Sequence, residues 1–156
     1  MLWSAFTLAF YCFLRASEYL NLQWLDISYN SRITINLRQS KTDTFRKGHQ
    51  IHVYPTNTST CPVRAFLLYM PFSNSTTAAD PVFMAGRFAP LTQASLNKAL
   101  CSLLSRAALD QSQYASHSFR IGAATTAAAA RVPAWMIKSL GRWTSNAYLS
   151  YIHRSP

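Results

Sequence analysis

An uninterrupted apolar stretch opens the chain and limits the folds available to it. The first residues read MLWSAFTLAFYCFL and carry no charged side chain, and Arg15 follows at once. The stretch lacks the positive start and the small-residue cleavage site of a signal peptide, and it is shorter than the roughly 20 residues of a membrane span. A helix that is hydrophobic nearly all round is stable only when other elements bury it. We therefore expect a core helix over residues 2–16.

Composition indicates the size of the domain and the charge of its partner. The 156 residues are 49% hydrophobic and 13% aromatic, which is enough for one domain with a packed core. Fifteen Lys and Arg against five Asp and Glu give a net charge of +10, typical of a surface that binds a polyanion. The basic residues are spread along the chain, which favours a folded groove over a disordered arm. Nucleic acid is the expected partner, and an anionic membrane surface is the alternative.

The cysteines and histidines do not predict a metal site. Cys12, Cys61 and Cys101 show no metal-type spacing, and pairing two of them would leave one over, so we expect buried, reduced thiols. His49 and His52 form an H-x-x-H pair, but no Cys or acidic ligand lies nearby to complete a site. We expect no metal.

Residue periodicity predicts a small antiparallel sheet. Apolar and polar residues alternate over 33–37, and the alternation resumes at Ile51 and Val53. Residues 23–27 are expected to be extended. Gly48 is expected to provide backbone freedom at the end of the connection between the two strands.

Helical patterns cover most of the remaining chain. A short helical turn is expected to begin at Ser17 and to run toward Leu22, and residues 71–81 are expected to form a surface loop. Further helices are expected at 62–70, at 92–108 with Thr92 as N-cap, at 117–130 with Ser116 as N-cap, from Pro133 to Gly141, and at 143–153. The predicted class is α+β, mostly helical with a small antiparallel sheet, in one domain.

Three short motifs near the C-terminus hold side chains suited to phosphate chemistry. They are HSFR at 117–120, GRW at 141–143 and YLSYI at 148–152. His117 and Arg120 are three residues apart on a predicted helix, so both can reach one anionic group. Trp143 offers an indole N–H, and Tyr151 offers a phenolic hydroxyl that can attack phosphorus and form an ester.

Two upstream segments add further charged side chains. FLRASEYLNLQWLDI holds Arg15, with Glu18 one turn later, and RQSKTDTFRKG holds Lys41 in the turn between the two predicted strands. Each residue alone has an ordinary structural role open to it. Their occurrence together, in one order, is what indicates a site.

This order of motifs resembles the catalytic domain of the tyrosine recombinase (phage integrase) family. That family's signature is an Arg in a helix, a Lys on a β-hairpin, H-x-x-R, a His or Trp, and a Tyr. The chain looks most like the recombinases of DIRS-type eukaryotic retroelements, judging from FLRASE, QSKTD-x-FRKG, HSFR-x-GAATTAAA, IKSLGRW and SNAYLSYI. The resemblance implies DNA strand transfer through a covalent 3′-phosphotyrosyl intermediate, without a metal or nucleotide cofactor.

The resemblance also implies a role for each residue at the phosphate. Arg15 and Arg120 would neutralise the nonbridging oxygens, because a guanidinium is permanently charged and binds phosphate with two donors. His117 would donate a hydrogen bond or shuttle a proton there. Trp143 would replace the second His of many relatives. Its indole could only donate a hydrogen bond or pack against other side chains. Glu18 would orient Arg15 or a neighbouring backbone group, with an ordinary helix-pairing role as the alternative.

Tyr151 is the implied nucleophile, and Lys41 is the implied general acid that protonates the departing 5′-oxygen. Tyr148 is the alternative nucleophile, because tyrosines three residues apart share a helix face. In many bacterial and phage members the nucleophile follows the His or Trp by nine residues, whereas Tyr151 follows Trp143 by eight. The shorter spacing resembles the DIRS-type pattern, which favours Tyr151.

The implied partners are double-stranded DNA and further copies of the chain, which assemble as a tetramer in relatives. No membrane and no small-molecule substrate is implied, and a nuclear location follows from the eukaryotic element. We expect residues 1–156 to form the catalytic domain without the N-terminal DNA-binding domain of relatives, and the abrupt apolar start indicates that the natural protein continues upstream. Two other functions remain open: relaxation of DNA like that by type IB topoisomerases, and DNA binding by an inactive relic or module.

Overall fold

Helices dominate the structure, and one small sheet completes it. The computed structural model describes residues 1–38, 48–73, 75–87 and 89–152. The helices are α1 Leu2–Tyr11, α2 Ala16–Leu20, α3 Pro62–Tyr69, α4 Gln93–Arg106, α5 Ser118–Ala129 and α6 Ala134–Leu140. The strands are β1 Ile27–Tyr29, β2 Ile33–Leu37 and β3 His49–Val53. Short 3₁₀ segments lie at Trp24–Asp26, Met70–Phe72, Gln111–Gln113 and Asn146–Tyr151. The predicted α+β class is confirmed.

Helix α1 lies at the centre of the core, as its apolar sequence predicts. Ala5, Leu8 and Ala9 are fully buried, and the helix contacts both α3 and α5. The larger core cluster joins α1 to the sheet and to Phe66 of α3. Across the described residues, every helix falls short of the length and apolar character needed to cross a membrane.

Helix α1 ends earlier than predicted, and this changes the setting of Arg15. The helix was expected to extend to residue 16, but it ends at Tyr11 because Phe13 adopts a left-handed φ of 52°. Arg15 is therefore not inside a helix. It is the extended N-cap residue of α2, with φ −78° and ψ 154°. The turn also exposes the carbonyls of Cys12 and Phe13, which helix α1 no longer uses, to other donors.

The three strands form an antiparallel sheet in the order β1-β2-β3. Ile35 in the central strand pairs with Ile27 on one side and with Ile51 on the other. The two predicted strands are confirmed, and β1 is an addition. Gly48 has a left-handed φ of 69° beside Leu37, as its expected backbone freedom requires. Lys41, predicted to lie between β2 and β3, falls outside the described residues.

The expected extended segment at 23–27 is interrupted by a 3₁₀ turn. The Asp26 carboxylate accepts the backbone N–H of Gln23 at 2.9 Å, which closes the turn at Trp24–Asp26. Arg38, at the end of β2, donates to the same carboxylate. A local side-chain cap therefore overrides the apolar pattern there.

Helices α3 and α4 begin where the sequence predicts. The Cys61 thiol accepts the backbone N–H of Arg64 ahead of Pro62, and the Thr92 hydroxyl accepts that of Ser95. Helix α6 likewise follows Pro133 and stops at Gly141.

The last segment differs most from the prediction. In place of an α-helix over 143–153, a 3₁₀ helix runs over Asn146–Tyr151. Its N-cap is Ser145, whose hydroxyl accepts a backbone N–H at 3.2 Å and delays the start of the helix. Tyr151 therefore lies in a tighter helix than expected.

The absence of a side chain at Gly141 leaves room for the ring of Trp143. The glycine's φ of −82° is open to any residue, but an added Cβ would lie 1.7 Å from the ring of Trp143. The left-handed position falls instead on Arg142, with φ 56°. The ring of Trp143 therefore lies directly against the end of α6.

We predict that Gly141→Ala lowers the free energy of unfolding by about 1–3 kcal/mol, because the new methyl group forces the Trp143 ring to move. Urea unfolding followed by circular dichroism measures the change. Gly86→Ala is the matched control, since nothing lies within 4 Å of its added Cβ, and it should stay within about 0.5 kcal/mol of wild type. Equal effects of the two substitutions would contradict the packing argument.

Candidate active site

One buried carboxylate holds three arginines together. Glu18, in α2, is 7% exposed. Its Oε1 accepts Nη1 of Arg15 at 3.0 Å, and its Oε2 accepts Nη2 of Arg142 at 2.8 Å. Nη1 of Arg120 lies 3.8 Å from the same Oε2. The carboxylate also accepts the backbone N–H of Arg15 at 2.8 Å, so it caps α2 while it binds the side chains.

The cluster carries more positive than negative charge. Three guanidiniums less one carboxylate leave a net charge of +2 on these four side chains. Burial, reinforced by the charge of Arg15, lowers the pKa of Arg120 to about 10, so it stays protonated at neutral pH. Uncompensated charge in a buried site is costly, and a bound anion removes that cost. The cluster is therefore suited to an anionic ligand.

Arg120 is almost completely buried, at 2% exposed, and its guanidinium has a fixed orientation. Nη1 donates to the carbonyl of Phe13 at 2.9 Å, and Nη2 donates to the carbonyl of Gly141. The guanidinium carbon lies 4.4 Å from the centroid of the Trp143 ring, a cation–π contact. Its Nε is buried and has no hydrogen-bond partner among the described residues.

Arg15 is the more accessible of the predicted phosphate ligands. Its side chain is 24% exposed, and Nη1 is its one side-chain donor bonded to a described residue, at Glu18. The remaining donors are therefore available to a ligand. Glu18 orients Arg15 through this contact, and its supporting role at a phosphate stays a prediction.

Trp143 brings both candidate tyrosines to the cluster. Its ring centroid lies 5.3 Å from that of Tyr151 and 6.2 Å from that of Tyr148. Side chains three residues apart in a 3₁₀ helix lie on one face, which explains why both contact the same indole. Their exposure differs: Tyr148 is buried at 8% exposed, whereas Tyr151 is partly exposed.

His117 lies at the start of α5, in a different environment from Arg120. It is the N-cap residue, and its side chain is exposed, whereas Arg120 one turn later is buried. Ser116, predicted as the N-cap, instead is buried and its hydroxyl accepts the side-chain amide of Gln93 at 3.2 Å. His117 is therefore free to turn toward a bound substrate at the surface.

Arg142 is the residue that sequence reasoning missed. The GRW motif was identified, but only Trp143 was given a role. The side chain of Arg142 is 6% exposed and donates to Glu18 and to the carbonyls of Cys12, Phe13 and Leu140. Two signals were present in the sequence: Arg142 stands between a Gly and a Trp of a recognised motif, and it precedes Tyr151 by nine residues.

The described histidines and cysteines do not come together as a metal site. Among the described residues, no three His, Cys, Asp or Glu side chains form a group that could hold a metal ion. Cys12, Cys61 and Cys101 are free. His52 instead contacts the hydroxyl of Thr34 across the sheet at 3.2 Å.

We predict that Glu18→Gln lowers the free energy of unfolding by about 3–5 kcal/mol, because it leaves buried guanidiniums without their carboxylate. Urea unfolding measures the loss. Asp110→Asn is the control: Asp110 lies in an exposed turn, Asn keeps an oxygen that can accept from Ser112, and the variant should unfold at close to the wild-type urea concentration. A Glu18→Gln protein as stable as the control would show that the carboxylate is not the link between the arginines.

Comparisons with known proteins identify the family and the fold of the chain. The model of the phage integrase family matches residues 2–155. No curated protein matches the chain in sequence. Three similar solved structures are XerA recombinase (TM-score 0.77, 19% identity), XerH site-specific recombinase bound to palindromic difH substrate in a post-cleavage complex (0.76, 18%), and the Tn1549 transposon integrase in complex with circular intermediate DNA (0.69, 16%).

These structures are longer than the chain and share its fold. The matches cover 99%, 97% and 98% of this chain, but only 52%, 41% and 53% of the respective solved chains. The likeness to them shows a common fold at low sequence identity, and the family model covers nearly every residue. The chain therefore belongs to the phage integrase family and has the fold of a tyrosine recombinase catalytic domain.

Proposed function

We propose that the chain is the catalytic domain of a site-specific DNA recombinase that cuts and rejoins strands through a covalent 3′-phosphotyrosyl intermediate. The cluster of three arginines around Glu18 carries this proposal. Its net positive charge lies next to Trp143, whose ring also contacts Tyr151. A phosphodiester bound there would compensate that charge beside a potential nucleophile.

Neutralising the phosphate is the main catalytic task at such a site. The two nonbridging oxygens repel a nucleophile and gain charge in the transition state. Arg15 supplies exposed donors, and Arg120 supplies a guanidinium already oriented by the carbonyls of Phe13 and Gly141. Fixed donors need no reorganisation when the charge develops, so this arrangement favours the transition state.

Tyr151 is proposed as the nucleophile. Its phenolic oxygen forms a bond to phosphorus while the bond from phosphorus to the 5′-oxygen breaks, and the retained ester energy allows religation. His117 would shuttle the phenolic proton, and Lys41 would give a proton to the 5′-oxygen. The partial exposure of Tyr151, against the burial of Tyr148, supports this choice because Tyr148 would have to leave the core to react.

Double-stranded DNA is the proposed substrate. The net charge of +10 suits a polyanion, the Tn1549 integrase was solved in complex with circular intermediate DNA, and XerH was solved bound to its difH substrate. We further propose self-association on paired DNA sites, a DIRS-type retroelement origin and a nuclear location. Binding through phosphate contacts would be sensitive to salt and weak in sequence preference.

We predict a covalent adduct between the protein and a duplex library that carries 5′-bridging phosphorothiolates. The thiolate leaves without protonation, so cleaved strands accumulate on the protein. Tyr151→Phe should abolish the adduct, and Tyr148→Phe, which keeps the ring that packs on Trp143, should retain it. Denaturing gels and peptide mapping give the readout. An adduct that maps to Tyr148 would overturn the nucleophile assignment, and DNA binding with no adduct would favour an inactive DNA-binding module.

We predict that Lys41→Ala slows cleavage of an ordinary phosphodiester by at least about 100-fold, because general acid catalysis is lost. The same variant should cleave the phosphorothiolate at close to the wild-type rate, because a thiolate is a good leaving group without a proton. Single-turnover rates on the two substrates measure the difference. An equal loss on both would assign Lys41 to substrate binding instead.

A further inference from the structure

The side chain of Arg142 joins two segments that are far apart in the sequence. Nη1 donates to the carbonyl of Cys12 at 3.2 Å and to that of Leu140 at 3.3 Å. Nη2 donates to the carbonyl of Phe13 at 3.1 Å and to Glu18 at 2.8 Å. A guanidinium has two N–H donors on each Nη, so these four bonds occupy all of them. Arg142 is thus committed to the protein, unlike Arg15.

Backbone conformation at both ends adapts to this contact. Phe13 has a φ of 52° and Arg142 a φ of 56°, both in the left-handed region, which is unfavourable for a residue with a side chain. The unusual turn at Phe13 leaves its carbonyl outside helix α1, where Arg120 and Arg142 both donate to it. The turn at Arg142 leads directly into Trp143.

The two joined segments hold the parts of the proposed site. The turn after α1 leads to Arg15 and Glu18, and the segment after α6 leads through Trp143 to Tyr151. Arg142 shares one acceptor with each predicted phosphate ligand: Glu18 with Arg15, and the Phe13 carbonyl with Arg120. Arg120 also contacts both segments, through the carbonyls of Phe13 and Gly141, but Arg142 itself belongs to the segment that leads to Tyr151.

We propose that Arg142 is a positioning residue, which holds the segment that bears the nucleophile in register with the guanidiniums that bind the phosphate. This inference rests on the proposed function. Arg142 does not touch the substrate, because its Nη donors are occupied. It acts through Glu18 and the Phe13 carbonyl, which set the distance between the phosphate site and Tyr151. A displacement of about 1 Å between reacting groups lowers a rate by about 100-fold.

The test compares covalent trapping by Arg142→Ala with that by Arg131→Ala. Arg131 is the matched control, because it is also an arginine just after a helix, with φ 57°, and its side chain is exposed. The probe is a duplex with a 5′-bridging phosphorothiolate, measured with saturating protein in single turnover so that affinity does not limit the rate. We expect Arg142→Ala to form the Tyr151 adduct about 100-fold more slowly than wild type, and Arg131→Ala to match wild type.

A second substrate separates positioning from direct phosphate contact. A methylphosphonate linkage replaces one charged nonbridging oxygen with a methyl group, so less positive charge is needed at the phosphate. The rate defect of Arg15→Ala should shrink on this neutral substrate, whereas the defect of Arg142→Ala should persist. Equal relief of both variants would overturn the proposal and make Arg142 a phosphate ligand.

The variant Arg142→Lys distinguishes a loss of positioning from a loss of folding. Lysine keeps a charge that can pair with Glu18 but cannot fork onto the Cys12 and Phe13 carbonyls as well. We expect this variant to unfold cooperatively in urea and still to lose most of the trapping rate. Wild-type rates in both Arg142 variants would overturn the positioning role while the proposed function stands. No adduct even in the wild type would overturn the proposed function and this inference together.

Discussion

The arginine cluster depends on one buried carboxylate, in a chain that has few acids. Glu18 is one of five acidic residues against fifteen basic ones, yet it lies where three guanidiniums meet. Without it, like charges would be forced together in a site of low dielectric, where repulsion is strongest. The same carboxylate caps α2 and so fixes the backbone of Arg15. The same carboxylate therefore both begins the helix and offsets part of the positive charge of the cluster.

The division of the core into two clusters explains where chemistry is possible. The larger cluster surrounds α1 and the sheet and supplies most of the apolar packing. The smaller one, with Phe13, Trp143 and Tyr148 among its members, carries Tyr151 at its edge. The Trp143 ring lies over the Arg120 guanidinium and excludes water from that face, which strengthens the electrostatic interactions of Arg120. Helix α1 contacts both regions, so the apolar stretch that opens the chain also supports the site.

Much of the fold could be predicted from the sequence, because its signals were local. The alternation at residues 33–37, the hydroxyl of Thr92 and the proline at 133 each act within a few residues, and the elements they predict are confirmed. The errors at 23–27 and 143–153 arose where a local side-chain cap starts a 3₁₀ helix, and the error at the end of α1 arose from distant contacts. Helix α1 ends where the Phe13 carbonyl accepts hydrogen bonds from Arg120 and Arg142, which are more than a hundred positions away in the sequence. Motif reasoning found Glu18 and Arg120 but passed over Arg142, because a motif gives residue types and not the partners that a side chain will contact.

The acceptor shared by Arg120 and Arg142 is a main-chain carbonyl, and this affects how such a site can change over time. A carbonyl is present whatever side chain stands at that position, so replacing Phe13 would not remove the acceptor. What must persist is the shape of the turn, which many sequences can supply with one residue of left-handed conformation. The Phe13 carbonyl thus remains an acceptor when the side chain changes, and a comparison of residue identities does not detect it. Distant relatives can keep the same arginine geometry while the turn that supports it loses all recognisable similarity.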